Sequence, residues 1–347
     1  MPQIRIDSLQ KFCAAVLNKC GVPDGHISII TESIIYAHVR NKEQHGINRL
    51  PIYVKKIKAG LMSPVTSLKA ITNRPVIAVL DANNGFGQVG AYKGMELCVE
   101  KAEKFGIGVV GIRNSNNFGT AGFIAELATK RKMIGIVLAN SAPAIAPWGG
   151  HSPVLGTNPV GLAFPRQTNH PPVSLDMATS FVARSKIRLA ATNHEKIPLG
   201  WALDASGQPT DDPLEALKGS MIPIGKHKGY GLSLAVDILA GLLPGAAFGG
   251  DAKPLNQTDG YSNYGHLLLA INISFFMDYD AYSQNMCELE SRVKLSGKVG
   301  EVYLPGEKSW LYMQQINDNI TIGEKCIHEL KTLAADLGIS GKIIISN

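Results

Sequence analysis

The sequence has few charged residues and no segment of low complexity. Of its 347 residues 18% are charged, and the 34 basic and 28 acidic side chains are spread along the chain without a run of one sign. With 45% apolar residues the chain should fold into a compact protein, because it can bury enough apolar surface to offset the entropy lost on ordering. The evenly spread net charge of +6 gives no reason to expect a nucleic-acid partner.

Long apolar runs and paired cysteines are also missing. The most apolar stretch, residues 232–248, is interrupted by Asp237 and Pro244, which predicts a buried helix and a turn rather than a membrane span. The first residues, MPQIRID, lack the apolar core of a signal peptide. The five cysteines are widely spaced without a CxxC pair, and Cys13 and Cys98 fall on apolar helix faces. We therefore expect reduced core thiols, no metal site and a cytoplasmic protein.

Glycine and proline are concentrated in the middle of the chain. Three apolar runs, residues 134–139, 160–164 and 173–175, are joined by connections dense in Gly, Pro, Ser, Thr and Asn. Strands that end in such loops hold backbone donors and small polar side chains on a rigid frame. The pairs Gly149-Gly150 and Gly156-Thr157 allow a ligand close to the backbone, because glycine has no side chain in the way. This region is expected to form a small-molecule site.

The periodicity of apolar residues predicts helices around a strand-rich centre. Helices are expected at residues 8–20 (capped by Asp7 and Ser8), from 23 to about 44–46, 48–59, 91–104, 120–132, 232–243 and 327–337. Strands are expected at residues 76–80, 107–112, 134–139, 160–164, 173–175, 266–276 and 301–304, with an irregular loop at 200–210. Alternating strands and helices argue for an α/β layer.

Gly85, Gly87 and Gly90 match the GxGxxG spacing of a dinucleotide-binding turn between a strand and a helix. Four residues separate the strand from the first glycine, whereas that turn is normally tight. The next strand ends in Arg113 rather than in an acidic residue that would bind the ribose. We therefore favour a plain glycine-rich turn.

Two positions place cations where a helix dipole disfavours them. Arg49 falls in the first turn of a helix, and the guanidinium together with free helix N–H groups could hold a substrate carboxylate. An ordinary surface ion pair is the alternative. His45 falls near a helix C-terminus, where an imidazolium would simply stabilise the dipole. Residues 226–228, Lys-His-Lys, precede another apolar helix and favour a bound phosphate over a solvated basic corner.

Six blocks follow one another in the order and spacing of one known family. They are HGINR at 45–49, NSNNFG at 114–119, GTNP at 156–159, SLDMATS at 174–180, KGYG at 228–231 and LPGE at 304–307. On these blocks the chain resembles the second type of malate/L-lactate dehydrogenases. That family also holds ureidoglycolate and sulfolactate dehydrogenases, diketogulonate reductase and cyclic imino acid reductases. The resemblance extends from about residue 8 to about residue 338.

The resemblance implies an oxidoreductase that uses NAD or NADP to interconvert small 2-hydroxy and 2-oxo acids. It implies a mixed α/β fold distinct from the Rossmann fold, with a central mixed sheet and a helical lobe from both chain ends. Residues 1–122 with 300–347 would form the substrate-side lobe and residues 123–299 the cofactor-binding domain. The partners would be a carboxylic acid substrate and a second copy of the chain, in a homodimer with active sites near the subunit junction.

Site residues follow from the same resemblance by position. On the substrate side His45 matches a proposed proton donor and Arg49 a carboxylate clamp, and Asn117 stands at the position of the family's acid/base residue. The positions that match cofactor-contacting segments or line the neighbouring loops are Ser141, Asn158, Asp176, Met177, Ala178, Lys228, Gly229, Gly306 and Glu307.

The chain departs from the family at Asn117, where the family loop carries a histidine that serves as the acid/base group. An amide can donate a hydrogen bond to a carbonyl but cannot exchange a proton near neutral pH. Either His45 then carries the proton, or the protein is a cofactor-binding family member with impaired catalysis. A reductase of cyclic imino acids is a further alternative, because its substrate nitrogen can already be protonated. Gln44 also replaces a common serine, which leaves the substrate open.

Overall fold

The computed structural model describes residues 2–167 and 169–339. Its α-helices are α1 Ile6–Lys19, α2 Asp24–Val39, α3 Leu50–Lys58, α4 Gly87–Phe105, α5 Ala121–Thr129, α6 Arg184–Thr192, α7 Pro213–Lys218, α8 His227–Val236, α9 Tyr279–Leu295, α10 Glu307–Gln314 and α11 Glu324–Asp336. Short 3₁₀ turns lie at Glu43–His45, Ile47–Arg49 and Ile273–Phe275, and a π-helix at Asp237–Leu242 continues α8.

The strands are mostly short, and they belong to three sheets. They are β1 Gln3–Arg5, β2 Lys69–Asn73, β3 Ile77–Asp81, β4 Ile107–Ser115, β5 Met133–Ala139, β6 Val160–Phe164, β7 Val173–Met177, β8 Ala202–Leu203, β9 Pro209–Thr210, β10 Ser220–Met221, β11 Tyr264–Asn272 and β12 Asn319–Thr321.

The largest sheet has seven strands in the order β2-β3-β4-β11-β5-β6-β7. Only β3 and β4 pair in parallel, and the other neighbours are antiparallel. The long strand β11 lies in the middle, although it follows β7 in the chain by almost ninety residues. The predicted mixed α/β fold with a central mixed sheet is confirmed, and its strand order differs from that of a Rossmann sheet.

Both faces of this sheet are covered by helices. Leu268 faces the cluster that α4 and α5 complete, and its neighbour Leu267 faces α8 and the π-helix, because adjacent strand residues point to opposite faces. Gly108 and Gly135 bring α4 and α5 against the sheet: an added Cβ would lie 2.0 Å from Cys98 O and 2.1 Å from Ala125 O. The loops at the ends of β4, β5 and β7 are thus fixed by a packed three-layer core.

A second core joins the two ends of the chain. Helices α1, α2, α3 and α11 pack together with the antiparallel pair β1 and β12. Its apolar residues include Ile4, Leu9, Ile34, Leu50 and Leu330, each fully buried. This is the helical lobe that was expected from both chain ends.

The domain boundary at residue 122 passes through the central sheet. Strands β2, β3 and β4 come from one side of it, and β5, β6, β7 and β11 come from the other. The two ranges therefore share one core around α4, α5 and the sheet. That residues 1–122 with 300–347 serve the substrate and residues 123–299 the cofactor stays a prediction, and residues 340–347 lie outside the described part.

Several element predictions were wrong in detail. Helix α2 ends at Val39, not at 44–46, because Asn41 takes a left-handed conformation with φ 58° and the chain turns. Residues 301–304 form no strand, and residues 200–210 are not irregular, since β8 and β9 form a hairpin there that β10 extends. Neither Asp7 nor Ser8 caps α1, whose N-cap is Arg5.

Cys13 and Cys98 are buried, as their helix faces predicted. Within residues 2–167 and 169–339, no helix combines the length and apolarity needed to cross a bilayer.

Candidate active site

The two 3₁₀ turns after α2 carry His45 and Arg49, and His38 holds them in place. His38 Nε2 accepts a hydrogen bond from Ile47 N at 2.8 Å. Gly46 packs against the same ring, and an added Cβ would lie 2.4 Å from Nε2. Burial lowers the pKa of His38 to about 4, so the ring is neutral near pH 7 and free to accept. The segment that carries both predicted substrate residues is therefore anchored to a buried helix.

Arg49 is the N-cap of α3 and lies largely within the protein. Its Nε donates to Gln44 O at 2.6 Å, and the two terminal nitrogens remain available. Among the described residues no carboxylate forms a salt bridge with it, so the surface ion pair considered as the alternative has no counterpart here. Burial lowers the pKa of Arg49, which nonetheless remains a cation at neutral pH.

His45 lies between cations and one carboxylate. Burial and, after it, the nearby Arg49 and Lys42 cations lower the pKa of His45 to about 4, and the Asp176 carboxylate acts in the opposite direction. Its Nδ1 is buried without a hydrogen-bond partner among the described residues. The sequence analysis implied a raised pKa for His45, because it placed the residue at the C-terminus of a full helix. The structure has a single 3₁₀ turn there.

Asn117 follows β4, in a loop that a glycine brings close to α4. Asn116 Nδ2 donates to Asn84 O at 3.0 Å and to Gly85 O at 2.9 Å. At Gly87, the start of α4, an added Cβ would lie 2.0 Å from Asn116 O. Asn117 Oδ1 accepts from Gly119 N at 3.1 Å, which leaves the amide Nδ2 as the group that can donate to a ligand.

The GxGxxG segment contributes packing to this arrangement. Gly85 lies against Thr66 and Gly87 against the Asn116 backbone, and neither lines the cavity described below. Close contact with protein backbone, rather than access for a pyrophosphate, explains the absence of side chains at these glycines. The preference for a plain turn agrees with this geometry.

On the other side of the sheet edge, Ser141 and Asn158 join two loops. Asn158 Oδ1 accepts from Ser141 N at 3.1 Å, and its Nδ2 donates to Ser233 O at 2.9 Å. Gly156 has no room for a side chain, because a Cβ would lie 2.3 Å from Ser141 O. Asn158 itself is fully buried, so it supports the loops while Ser141 reaches the cavity.

Asp176, Met177 and Ala178 lie at the end of β7, the edge strand of the sheet. The Asp176 carboxylate forms a short salt bridge with Lys42, from the segment that precedes His45. Ser174 N in β7 donates to Pro305 O at 3.0 Å, so the segment before α10 covers part of the outer side of this edge strand. The salt bridge connects the helical lobe with the sheet beside His45.

These segments enclose one cavity of about 450 Å³, a size usual for small-molecule sites. Seven of the predicted site residues line it: His45, Arg49, Asn117, Ser141, Asp176, Met177 and Ala178. They come from four separate parts of the chain, which the sheet and the helical lobe bring together. A buried hydroxyl, Thr120 Oγ1, also lines the cavity without a partner among the described residues.

The other predicted positions do not line this cavity; one of them is Asn158, which supports its loops. Lys228 is exposed on the first turn of α8, and Gly229 packs so closely on Ile224 that a Cβ would lie 1.8 Å from its carbonyl oxygen. Gly306 lines an adjacent depression that shares Lys42 and Asp176 with the cavity. The Glu307 carboxylate accepts from Leu304 N and pairs with Lys294. Cofactor contacts at these four positions stay predictions.

Sequence reasoning missed further residues that line the cavity: Lys42, Arg184, Arg188, Tyr264 and His266. His266 is fully buried on the central strand, and its Nε2 lies 2.8 Å from Ser115 Oγ. Burial lowers its pKa to about 3, so the ring is neutral. Two features of the sequence could have indicated some of these residues. One is a histidine inside an otherwise apolar strand, and the other is a pair of arginines four residues apart.

Comparison with known proteins gives one consistent result. The sequence family described as malate/L-lactate dehydrogenase matches residues 4–331. A malate/(S)-sulfolactate dehydrogenase of Methanothermus fervidus is 40% identical over 93% of this chain and 95% of its own length. A (2R)-3-sulfolactate dehydrogenase (NADP(+)) of Chromohalobacter salexigens is 32% identical over 95% of this chain and 98% of its own. A ureidoglycolate dehydrogenase (NAD(+)) of Escherichia coli is 30% identical over 90% of each chain.

Solved structures agree with the sequence comparison. The sulfolactate dehydrogenase of Methanocaldococcus jannaschii superposes with a TM-score of 0.92, at 36% identity and over 98% of each chain. The Δ1-piperideine-2-carboxylate reductase of Pseudomonas syringae superposes with a TM-score of 0.86, at 26% identity over 96% of this chain and 100% of that one. The shared fold therefore carries relatives of two chemical kinds.

Proposed function

The chain belongs to the malate/L-lactate dehydrogenase family, and on that premise we propose that it interconverts a small 2-oxo acid and its 2-hydroxy acid with NAD or NADP. The observation that carries this proposal is the meeting of Arg49, His45 and Asn117 in one cavity with residues 139–141 and 176–178. A carboxylate-binding cation, a proton-transfer group and a hydrogen-bond donor are what reduction of a 2-oxo acid requires.

Arg49 would hold the substrate carboxylate. The Gln44 carbonyl fixes the guanidinium through Nε and leaves the terminal nitrogens for the ligand. A partly desolvated guanidinium binds a planar carboxylate through two charge-assisted hydrogen bonds, which fixes the orientation of the neighbouring C2. Since no described carboxylate pairs with Arg49, an anionic substrate would relieve the cost of burying this charge.

His45 would give a proton to the C2 oxygen during reduction and remove it during oxidation. With its pKa lowered to about 4, the free enzyme holds a neutral imidazole at pH 7, which suits the oxidative direction. For reduction, the incoming carboxylate cancels the Arg49 charge and so favours the imidazolium. The pKa of His45 would therefore rise when the 2-oxo acid binds, and the proton that His45 gives to the C2 oxygen would come from solvent.

Asn117 would polarise the C2 oxygen without exchanging a proton. Its Oδ1 is engaged by Gly119 N, so Nδ2 is left to donate. A fixed donor of this kind stabilises the negative charge that develops on the oxygen when hydride arrives at C2.

The cofactor would lie along residues 139–141 and 176–178. The donor set fits a nicotinamide: Ser141 and the end of β7 offer polar groups, and the buried Thr120 Oγ1 has no partner among the described residues. When bound, the cofactor supplies or accepts the hydride at C2 of the acid. Asp176, Gly306 and Glu307 would contribute the adjoining contacts, and Lys228 would attract the phosphates by its charge.

We further propose a homodimer formed through α8 and the π-helix. Their inner side packs on the sheet, while Leu232, Leu239, Leu242 and Leu243 are exposed on the outside. Such a set of large apolar side chains on one element is typical of a protein interface.

Use of a nicotinamide cofactor and the free, buried Cys13 and Cys98 support a cytoplasmic location.

The rival function is reduction of a cyclic imino acid. It is favoured by Asn117, because a protonated substrate nitrogen needs no proton from the loop that Asn117 occupies. The structural similarity to the piperideine-2-carboxylate reductase shows that this fold can carry such a reaction.

The test is the consumption of NADH and of NADPH by the purified protein with pyruvate, oxaloacetate, sulfopyruvate, diketogulonate and piperideine-2-carboxylate. Turnover of a 2-oxo acid supports the proposal and identifies the cofactor. Turnover of piperideine-2-carboxylate alone would support the rival function. Cofactor binding without any turnover would indicate a cofactor-binding protein whose catalysis is impaired by Asn117.

A further inference from the structure

The cavity carries more positive charge than one substrate carboxylate requires. Its charged lining residues are Lys42, Arg49, Arg184 and Arg188 against the single carboxylate of Asp176. The salt bridge between Lys42 and Asp176 removes one charge of each sign. Three guanidinium groups therefore remain without a neutralising carboxylate in the lining.

The three arginines differ in how they are held. Arg49 is assigned above to the carboxylate next to C2. Arg184 donates through Nη1 to Pro143 O and through Nη2 to Leu217 O, each at 3.1 Å, and so ties α6 to two neighbouring segments. Arg188 lies one turn further along α6, exposed at the mouth of the cavity, and within the described ranges its side chain has neither a hydrogen-bond nor a salt-bridge partner.

Arg188 is close enough to the other two to feel their charge. Its guanidinium contributes to the lowered pKa of both Arg49 and Arg184, after burial as the larger cause. Like charges around one cavity repel each other and reduce stability unless a ligand neutralises them. A ligand with an anionic group at each end would neutralise Arg49 and Arg188 together.

We propose that Arg188 is a specificity-determining residue, which binds the second anionic group of a 2-oxo or 2-hydroxy acid that carries a further carboxylate or sulfonate. This rests on the proposed function, in which Arg49 holds the first carboxylate. The anchored Arg184 fixes α6, and α6 sets the distance between the two binding cations. A monocarboxylic acid would leave Arg188 unsatisfied at the mouth of the cavity.

A cofactor phosphate is the other anion that Arg188 could meet. The substrate is favoured because Arg188 is close enough to Arg49, the cation that would hold the first carboxylate, to act on its charge. The cation predicted for the phosphates, Lys228, lies outside the cavity. The two sources give different results when acid specificity and cofactor affinity are measured separately.

The experiment compares Arg188→Gln with the wild-type enzyme on oxaloacetate, sulfopyruvate and pyruvate at saturating cofactor. The control is Lys186→Gln, which removes an exposed cation from the same helix outside the cavity. We expect Arg188→Gln to lower kcat/KM for the two dianionic acids about ten- to a hundred-fold, the value of one charge-assisted hydrogen bond. The kcat/KM for pyruvate, the reduced-cofactor dissociation constant from fluorescence titration and all Lys186→Gln values should stay near wild type.

Four outcomes would overturn the assignment. Equal losses on pyruvate and on the dianionic acids would remove the link to a second anionic group. A weakened cofactor affinity with unchanged acid specificity would assign Arg188 to a cofactor phosphate. Unchanged constants throughout would show that Arg188 does not bind the substrate, without affecting the proposed function. A wild-type protein that reduces none of the three acids would contradict both the proposed function and this assignment.

Discussion

At the scale of single residues, burial decides the chemistry of the histidines around the site. His38, His45 and His266 all have lowered pKa values, because the low-dielectric interior disfavours an imidazolium. The sequence could indicate His45 and Arg49 as residues of interest through their motif. It could not indicate the sign of the His45 shift or the presence of His266, since both depend on burial created by distant segments.

The first prediction concerns stability against pH through His38. Its pKa is about 4 in the folded protein and 6.5 without burial, so the unfolded chain binds its proton first as the pH falls. The stability contribution is present above pH 6.5 and is lost towards pH 4, by about 3 kcal/mol in total. His38→Gln keeps an acceptor for Ile47 N but cannot titrate. Denaturant unfolding at pH 7 and pH 4 should show a smaller loss for this variant than for wild type.

The exposed His328 provides the control for that measurement, because His328→Gln should keep the wild-type pH slope. If His38→Gln and wild type lost equal stability between pH 7 and pH 4, the conclusion that burial keeps His38 neutral in the folded protein would be wrong.

At the scale of elements, several helices and strands with a regular apolar face were predicted from the sequence, whereas α6, which buries Ile187 and Ala190, was missed. Strands β5 and β6 and helix α1 were found within a few residues because their buried positions recur with the period of the element. Helix α9 was missed because none of its residues is fully buried, so it has no apolar stripe to detect. The two-residue strands β8, β9 and β10 are too short to carry any periodicity.

The second prediction concerns the contact between α4 and the loop of Asn117. Gly87→Ala would place a Cβ 2.0 Å from Asn116 O, so the backbone beside Asn117 must move. We expect a loss of about 1–3 kcal/mol in the free energy of unfolding, from overpacking, and a lower kcat. Chemical denaturation and steady-state kinetics measure both effects.

Gly90→Ala is the matched control in the same helix. Its Cβ would meet no atom closer than 3.7 Å, and alanine should stabilise α4 by up to about 1 kcal/mol. If Gly87→Ala behaved like Gly90→Ala, the glycine would not be what positions the loop.

At the scale of the whole molecule, the central sheet and the terminal lobe create the cavity between them. The order of the motifs indicated that the blocks belong to one site, and the strand order of the sheet shows how these distant blocks come together. Because β11 lies between β4 and β5, the loops after β4 and β5 are held on either side of Tyr264 and His266. Long-range pairing of this kind leaves no local pattern in a single sequence, which is why the strand order could not be predicted from the residues alone.

The third prediction tests the dimer. Leu242→Glu places a charge on the outer side of the π-helix, where the leucine is 50% exposed. In a dimer the charge would be buried and unpaired, so the variant should sediment as a monomer at concentrations where wild type is dimeric. Leu214→Glu on α7, at a leucine 58% exposed, is the control and should not change the sedimentation coefficient. A dimeric Leu242→Glu protein, or a monomeric wild type, would contradict the proposed interface.

The central claim is that His45 carries the proton that Asn117 cannot. The most direct measurement is kcat of His45→Gln, at saturating cofactor and with the best 2-oxo acid, relative to wild type and to the His328→Gln control. We predict a loss of roughly 10²- to 10⁴-fold for His45→Gln, with cofactor affinity unchanged and the control at the wild-type rate. A His45→Gln enzyme that turns over at nearly the wild-type rate would show that the proton comes from another group.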